Sequence, residues 1–267
     1  MIGHIVIEKR LGETPLQALE AFQVTDAKLR TIPMTYAGRL DPMASGKLLI
    51  LIGDECKKKD QYTKLDKEYE FEVMFGVSTD TGDVLGLPKL GEVKNPNKRE
   101  LQRAAQKMIG IQKFPYPLFS SKTVEGKALF QHAHDGTVPA TLPETTIRIY
   151  RLDCVSVRTI SGVSLLKSVL EKIDTLKVVP DLHKKGSDFR KEEIIVGWRK
   201  VRLGELHYTI ATFKAVVSSG TYIRSLASLI ASALDTTGLA FSIHRTVIGR
   251  YISLFSRLGF WVRRYLS

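Results

Sequence analysis

Two stretches of alternating polar and apolar residues constrain the fold of this 267-residue chain most strongly. Residues 68–75 and 145–158 place apolar side chains at every second position, which is typical of strands with one buried face. Residues 47–52 form a short apolar run, which predicts a buried strand. These strands predict a β-sheet with helices packed against it, and therefore an α+β fold.

Other patterns extend this organisation along the chain. Further strands are predicted at 2–8, 208–217 and 241–251, and helices at 15–23, 99–108 and 221–234. Between 161 and 200, a helical pattern is followed by clusters of charge, so we expect a mobile, charged insertion without which the core still folds. The predicted organisation is one domain at 1–251, with this insertion at about 161–200 and a loop at about 114–145, and then a short basic tail at 252–267.

The balance of charge points to a polyanionic partner. The chain has 40 Lys and Arg against 28 Asp and Glu, a net charge of +12, which suits nucleic acid or a membrane surface. The two cysteines, Cys56 and Cys154, lie in no metal-ligand spacing, which argues against zinc. A disulfide framework is also not expected, which fits a reducing cytoplasm. The N-terminus has a strand pattern rather than a signal peptide, and no apolar run approaches the roughly 20 residues of a membrane helix.

The segment Ala37-Gly38-Arg39-Leu40-Asp41-Pro42-Met43-Ala44-Ser45-Gly46 holds one carboxylate on a constrained backbone. Glycine permits tight turns, and proline fixes its own φ and restricts the residue before it. We therefore expect a rigid loop that fixes the orientation of Asp41 beside a buried strand. Such a carboxylate is a candidate nucleophile, although Asp before Pro is also a common turn former or helix cap.

Three further regions pair a polar group with a constrained backbone. They are Lys67-Glu68-Tyr69 with the Asp- and Gly-rich turn 76–86, the Pro- and aromatic-rich loop 113–122, and the strand–glycine–helix junction 218–226. Each has an ordinary structural explanation on its own. Tyr69 is then a packing residue, Arg224 is a solvated surface residue, and Asp80 and Asp83 are turn formers.

Taken together, these regions resemble the motifs of the TruB family of tRNA pseudouridine-55 synthases. The matches are Asp41 in G-T-L-D-P-x-A-[ST]-G, Tyr69 in K-x-Y, Thr79 to Gly86 in T-D-T-x-D-x-x-G, Pro115, Ser120 and Lys122 in P-P-x-[YF]-S-A-x-K, and Gly220 to Arg224 in G-T-Y-I-R. Glu8 to Thr14 and His244-Arg245-Thr246 resemble two further family segments. The resemblance spans residues 3–251 apart from the insertion, and it is specific because five motifs occur in order.

The resemblance implies a pseudouridine synthase fold, with a long, mixed and mostly antiparallel sheet flanked by helices and an active-site cleft across its middle. It also implies isomerisation of uridine-55 in the T arm of tRNA, without metal or cofactor. Asp41 would act at the ribose C1′, either as nucleophile or by stabilising and deprotonating the sugar. Arg224 would pair with Asp41, and Tyr69 would stack on the base or accept the proton from C5. These three are the predicted catalytic residues.

The same resemblance implies a second set of residues at the substrate. The residues predicted to bind it are Lys9, Tyr36, Lys122, Tyr222 and Arg245. Tyr36 stands where the family usually has a histidine, and we expect it to stack in the space that the flipped uridine vacates. Arg39 replaces a threonine, so that Gly38-Arg39-Leu40-Asp41 is similar to other branches of pseudouridine synthases.

Family members commonly carry a C-terminal PUA domain that helps to hold RNA, and the 16 residues after Tyr251 are too few for one. We therefore expect the core, the 114–145 loop, and the insertion or the basic tail to hold the tRNA, in a monomer without a protein partner. Three alternatives stay open: the same reaction on another RNA, a tRNA-binding chaperone without catalysis, and the guide-RNA-dependent branch. Retention of Asp41, Tyr69 and Arg224 argues against the chaperone, and the missing PUA domain argues against the guide-dependent branch.

Overall fold

The structure is a computed structural model that describes residues 3–177, 189–255 and 258–265. In this part of the chain the strands are β1 (His4–Lys9), β2 (Met34–Ala37), β3 (Ala44–Ile52), β4 (Asp66–Phe75), β5 (Val77–Thr79), β6 (Pro88–Leu90), β7 (Gly110–Pro115), β8 (Thr123–Val124), β9 (Lys127–Ala128), β10 (Glu144–Ser161), β11 (His207–Val217), β12 (Gly238–Phe255) and β13 (Leu258–Tyr265). The helices are α1 (Pro15–Gln23), α2 (Lys59–Thr63), α3 (Lys98–Lys107), α4 (Leu129–Asp135), α5 (Gly162–Asp174), α6 (Lys191–Lys200) and α7 (Ile223–Ser232). Each predicted strand and helix is present, with ends shifted by a few residues.

One mixed sheet organises the molecule. Its strand order is β1-β3-β12-β4-β11-β10-β7, with β2 added to β3 and β13 added to β12. Neighbouring strands are antiparallel except β3 and β12, which run parallel where Ala44 faces Ile243. This arrangement confirms the predicted α+β fold with a long, mostly antiparallel sheet.

Local sequence signals set two of the helix starts. Thr14 caps α1 by accepting from the Gln17 backbone N–H, and the Gln17 side chain accepts from the Thr14 N–H in return. Asn97 and Glu100 form the same reciprocal capping box at α3. These bonds satisfy amides that a helix leaves unpaired in its first turn, and they therefore stabilise both helix starts.

The front face of the sheet, defined as the face against which α3 and α7 pack, carries the largest hydrophobic cluster. Phe71 of β4 stacks on Phe213 of β11 with ring centroids 5.6 Å apart. Leu226 and Ile230 of α7 belong to the same cluster. The alternating apolar residues of β4 therefore anchor α7, the helix that carries Arg224 in its first turn.

The predicted insertion differs from expectation where the structure describes it. Helices α5 and α6 contribute fully buried side chains to a second hydrophobic cluster with residues of β4, β11 and β12: Leu165, Val169, Ile173, Ile194 and Trp198. The Trp198 indole N–H donates to the carbonyl of Val84 at 3.1 Å. The charged residues of these helices accompany an apolar face, so α5 and α6 pack into the core instead of forming a separate charged segment. That the core folds without them stays a prediction. Lys184 to Ser187 lie outside the described residues.

The predicted boundary at Tyr251 lies inside β12, which continues to Phe255 and pairs with β13. The Tyr251 ring meets the Trp261 ring edge-on, with centroids 5.2 Å apart. Tyr265 packs on His4 and Tyr62, at centroid distances of 5.1 and 5.7 Å. The described part of the predicted tail therefore extends the sheet instead of leaving it.

The predicted loop at about 114–145 contains small elements of its own. After β7 the chain forms the β8–β9 hairpin and then α4. His132 of α4 is buried, and its ring nitrogens lie 2.9 Å from the Thr137 carbonyl oxygen and 3.1 Å from the Val124 carbonyl oxygen. Among the described residues, no helix is long and apolar enough to cross a membrane.

Candidate active site

The Asp41 loop connects β2 to β3 and is tied to its surroundings through its backbone. The Ala44 N–H donates to the Asp41 carbonyl, and the Gly12 N–H donates to the Pro42 carbonyl, both at 2.9 Å. Gly46 has a φ of +106°, and a Cβ at this position would collide with the backbone of Arg245. The loop therefore requires glycine where it meets β12.

Arg224 and Asp41 form a direct ion pair at the start of α7. The Arg224 Nε donates to Asp41 Oδ2 at 2.7 Å. Its two terminal nitrogens donate to the carbonyls of Thr81 at 2.6 Å and Phe119 at 3.1 Å. The Arg224 side chain is 4% exposed, whereas the Asp41 side chain is 39% exposed. The arginine is thus held on several sides, while the carboxylate remains accessible to a substrate. The predicted pairing of Asp41 with Arg224 agrees with this geometry.

Asp83 is a third charged member of the site, which the sequence analysis treated as a turn former. Its carboxylate lies 3.6 Å from Arg224 Nε and accepts from the Leu85 N–H and the Thr81 hydroxyl. Burial raises the pKa of Asp83 to about 6, even though Arg224 acts in the opposite direction. The T-D-T-x-D pattern was the sequence signal that could have identified Asp83. It places a second aspartate at a fixed position on the turn, from which its carboxylate can face Arg224.

The two carboxylates also fix the charge of the arginine. Burial lowers the pKa of Arg224, but the carboxylates of Asp41 and Asp83 outweigh this effect and raise the pKa above its ordinary value. A guanidinium that stays protonated and is shared by two carboxylates is a stable electrostatic partner for Asp41.

Tyr69 lies in the front-face cluster with Leu40 and Ala44, which flank the Asp41 turn in sequence. The tyrosine is buried and faces Ala215 on β11 and Arg245 on β12. Tyr69 therefore belongs to the same hydrophobic cluster as the residues on either side of the Asp41 turn. Its role in stacking on a base or accepting a proton stays a prediction.

Tyr222 and Lys122 both contact a second tyrosine, Tyr116. The Tyr222 ring packs edge-on against Tyr116 at a centroid distance of 5.9 Å, and Lys122 Nζ lies 5.2 Å from the centre of the Tyr116 ring. Burial raises the pKa of Tyr222, and the negative charge of Asp41 acts in the same direction. The 114–122 loop therefore joins the exposed Lys122 to the Asp41–Arg224 pair, and the lysine can face RNA.

Two residues predicted to bind substrate are instead buried and bound to main-chain carbonyls. Lys9 and Arg245 are both 0% exposed. Lys9 Nζ donates to the carbonyls of Arg10 and Glu13 at 2.8 and 2.6 Å. This burial corrects the predicted role of both residues, because neither side chain reaches the surface: they position backbone and do not contact RNA in this conformation.

Arg245 supports the Asp41 loop directly. Its guanidinium donates to the carbonyls of Lys47, Gly38 and Arg39 at 2.7, 3.1 and 3.2 Å. Lys67 is also buried and donates to two carbonyls of the turn that precedes β4. Sequence reasoning missed Lys67 as a support, because its motif position indicated only a strand start.

The two buried lysines carry strongly displaced pKa values. Burial lowers the pKa of Lys9 to about 8, although Glu13 and Asp41 oppose this shift. Burial also lowers the pKa of Lys67 to about 7, and the positive charge of Arg245 acts in the same direction. Lys9, Lys67 and Arg245 thus form a cluster of desolvated basic groups next to the Asp41 loop.

Tyr36 lies on β2, the strand that leads into the Asp41 loop. Its ring centre lies 5.4 Å from Lys59 Nζ, and the ring packs on a cluster that includes Leu48 and Ile50. The predicted role of Tyr36 in stacking beside a flipped uridine stays a prediction.

A cavity of about 280 Å³ opens beside Arg224. It is bounded by Thr79 to Gly82, by several residues of the 114–118 segment, and by one side of α7. In the described part of the chain, no cluster of His, Cys, Asp or Glu is arranged to hold a metal ion. The chemistry that the geometry offers is that of an accessible carboxylate, fixed by a buried arginine and placed near aromatic side chains.

A family model described as "TruB family pseudouridylate synthase (N terminal domain)" matches residues 27–169. Among curated proteins, tRNA pseudouridine synthase 4 of Saccharomyces cerevisiae is 32% identical, over 79% of this chain and 59% of its own length. The tRNA pseudouridine synthase B of Caldicellulosiruptor saccharolyticus is 26% identical, over 93% of this chain and 68% of its own length. The chain thus spans only part of the length of the curated relatives that it matches.

Solved structures show the same fold. The crystal structure of a Cbf5-Nop10-Gar1 complex superposes with a TM-score of 0.55 at 15% identity, over 92% of this chain and 49% of the matched chain. A structure of an H/ACA RNP bound to a substrate RNA containing 2′-deoxyuridine gives a TM-score of 0.52 at 14% identity, over 91% of this chain and 46% of the matched chain. At such identities the likeness concerns the fold alone.

Proposed function

The chain belongs to the TruB family of pseudouridine synthases, and from this premise we propose that it isomerises uridine to pseudouridine in tRNA, at uridine-55 of the T arm. The observation that carries the proposal is the Asp41–Arg224 pair, in which an accessible carboxylate is held by a buried arginine. An accessible carboxylate in a fixed orientation is what the reaction needs at the sugar.

Asp41 has the central role in the proposed reaction. The isomerisation breaks the bond between the ribose C1′ and N1 of the base and forms a bond between C1′ and C5. The Asp41 carboxylate supports this exchange as nucleophile at C1′, or by stabilising and deprotonating the sugar. Arg224 keeps the carboxylate aimed throughout, because its Nε already donates to Oδ2.

Tyr69 acts on the base in this proposal. Once C5 is joined to C1′, the proton on C5 must leave to restore the aromatic base. Tyr69 stacks on the base or acts as the acceptor of this proton, since it packs in one cluster with Leu40 and Ala44 beside the Asp41 turn. Neither role requires a redox cofactor.

The target uridine lies inside a folded tRNA arm and must be flipped out, which costs on the order of a few kcal/mol. Stacking of a base on an aromatic side chain returns roughly 1–3 kcal/mol. Tyr36 on β2, beside Lys59, is the aromatic residue that we assign to the vacated space. The net charge of +12 and the exposed Lys122 support binding of the phosphate backbone.

We further infer a monomeric enzyme of the cytoplasm. Cys56 and Cys154 are both free thiols, which supports a reducing compartment. These two inferences are independent of the reaction and are tested separately, by sedimentation of the purified protein and by its localisation in cells.

Mapping of pseudouridine in tRNA transcripts, incubated with the purified protein and no added cofactor, tests the proposal. We expect one new pseudouridine at position 55 with the wild type and none with Asp41→Asn. The matched control is Asp54→Asn, since that carboxylate is 94% exposed and pairs locally with Lys57. Tight, salt-sensitive binding of tRNA without any pseudouridine would contradict the proposal in favour of a chaperone. Modification of a different RNA would retain the reaction and change the substrate.

A further inference from the structure

Arg190 connects α6 to the active site. It stands immediately before the first residue of α6, with a left-handed backbone φ of +54°. Its Nη1 donates to Asp80 Oδ2 at 2.8 Å. Its guanidinium carbon also lies 4.7 Å from the centre of the Phe119 ring. One side chain therefore contacts both the 76–86 turn and the 114–122 loop.

These two partners belong to the backbone segments that hold Arg224. Phe119 itself presents its carbonyl to Arg224 Nη2 at 3.1 Å. Asp80 precedes Thr81, whose carbonyl accepts from Arg224 Nη1 at 2.6 Å. Arg190 thus contacts one residue that orients Arg224 and the immediate neighbour of the other.

The orientation of the Asp80 carboxylate is fixed by a second hydrogen bond, which favours its contact with Arg190. The other oxygen of this carboxylate, Oδ1, accepts from the Leu87 N–H at 2.7 Å, which fixes the carboxylate plane on the turn. Oδ2 is then presented to Arg190, whose side chain is 23% exposed. A planar guanidinium can donate to a carboxylate along its edge while its face packs on an aromatic ring, and an ammonium group lacks this planar geometry.

We propose that Arg190 is a positioning residue for the isomerisation: it fixes the Thr81 and Phe119 carbonyls against Arg224 and thereby the orientation of Asp41. The proposal rests on the proposed function for its kinetic test. The proposal gives the segment around α6 a role in the active site, in addition to its packing in the second hydrophobic cluster. Removing Arg190 leaves Arg224 in place but loosens two of its hydrogen-bond acceptors.

The kinetic test compares Arg190→Met with Lys191→Met. Lys191 is the matched control because it lies at the same helix start and pairs with Asp174 at 3.2 Å instead of with the segments around Arg224. We expect kcat for pseudouridine formation to fall about 10-fold in Arg190→Met, with KM and the Kd for tRNA unchanged within about two-fold. Lys191→Met is expected to keep the wild-type kcat, and Arg190→Lys to be intermediate.

A double-mutant cycle with Asp80→Asn sharpens the test, since the effects of Arg190→Met and Asp80→Asn on kcat should be far from additive. An unchanged kcat in Arg190→Met overturns the proposal. So does an equal loss in Lys191→Met, which means general damage to α6. A rise in KM and Kd at constant kcat also overturns it, since Arg190 would then contact the RNA.

A second readout does not depend on turnover. The Nε–H resonance of Arg224 in a ¹H–¹⁵N spectrum, assigned by its loss in Arg224→Lys, should shift in Arg190→Met and stay in place in Lys191→Met. If the wild type forms no pseudouridine in any tRNA, the proposed function fails while this spectrum still decides the positioning role. If the wild type is active but the resonance is identical in both variants, the positioning role alone fails.

Discussion

The two halves of the Asp41–Arg224 pair are held in opposite ways. Arg245 is buried and donates to carbonyls of the Asp41 loop, while the buried Lys9 and Lys67 donate to carbonyls of two neighbouring segments, the turn after β1 and the turn before β4. Arg224 is surrounded by acceptors instead: two carbonyls and the carboxylates of Asp41 and Asp83. Basic side chains therefore lie around the Asp41 loop, whereas carbonyl and carboxylate oxygens surround the guanidinium of Arg224.

The pKa shifts show what this difference means. Burial lowers the pKa of Lys9 to about 8 and of Lys67 to about 7, because their hydrogen-bond acceptors in the described part of the chain are neutral carbonyls. The pKa of Arg224 is raised in spite of its burial, because two carboxylates face it. Arg224 should therefore keep its charge over a wide pH range, while the charges of the two buried lysines near the Asp41 loop should respond to pH.

The largest effect should come from breaking the half that holds Arg224. Arg224→Met leaves Asp83 buried without its cationic partner, and we expect a loss of about 3–5 kcal/mol in the free energy of unfolding. Pseudouridine formation should fall by on the order of 10³-fold, because Asp41 loses its orientation. Urea unfolding and single-turnover assays measure both quantities.

Arg158→Met is the matched control for this change. Arg158 is 47% exposed and pairs with Glu72 at 2.8 Å, so its removal should change the unfolding free energy by less than about 1 kcal/mol. Equal destabilisation by the two variants would mean that the burial of Arg224 has no special energetic weight.

The next largest effect should come from the Asp41 half. Arg245→Met leaves the carbonyls of Gly38, Arg39 and Lys47 without this donor, and we expect a loss of about 2–4 kcal/mol in unfolding free energy. The value of kcat should fall about 10-fold or more because the loop shifts. Arg250→Met, an exposed change on the same strand, serves as control in urea unfolding and kinetics. Wild-type kcat in Arg245→Met would show that the loop holds its shape without support.

Lys67→Met isolates the response of this support to pH. The folded pKa of about 7 lies below the ordinary 10.5, so protonated Lys67 opposes folding at pH 7, and the opposition disappears as the pH approaches 10.5. The stability of the wild type relative to Lys67→Met should therefore rise between pH 7 and about pH 10. Urea unfolding at several pH values measures the difference, with the exposed Lys64→Met as control. A stability difference that does not vary with pH would contradict the lowered pKa of the buried Lys67.

Asp83→Asn should give the smallest effect on stability. The pH dependence of this effect should be opposite in sign to that of Lys67→Met. The folded pKa of about 6 lies above the ordinary 3.8, so Asp83 stabilises the folded state below about pH 4 and loses this contribution as the pH rises through 6. Relative to Asp83→Asn, the wild type should thus become less stable between about pH 4 and pH 7. Thermal or urea unfolding at both pH values tests this, with Asp54→Asn as the control that should show no such trend.

Sequence reasoning recovered the parts of the site that depend on local motifs. Asp41, Tyr69 and Arg224 stand in short motifs that resemble those of a known family, and this resemblance singled them out, while their catalytic roles stay predictions. Pro15 and Asn97 signal the starts of their helices. These features depend on neighbours within a few positions, so a single sequence displays them.

Burial and pairing over long distances escaped the same reasoning. Arg245 and Lys9 look like ordinary basic residues until the sheet buries them near the Asp41 loop. Trp198 enters the core although its helix carries charged residues, and Asp83 meets Arg224 from a distant part of the chain. Such contacts are set by the packing of strands and helices that are far apart in sequence, and no local pattern records them.

The support of the Asp41 loop through main-chain carbonyls has a consequence for how this loop can vary. A carbonyl oxygen is present in every residue, so Arg245 can bind positions 38 and 39 whatever side chains they carry, provided that the backbone geometry is allowed. Position 39, where the arginine is exposed, should then tolerate wide substitution in a saturation screen, while positions 46 and 245 should not. Much of the shape of the loop is thus encoded outside it, which leaves its exposed surface free to diversify.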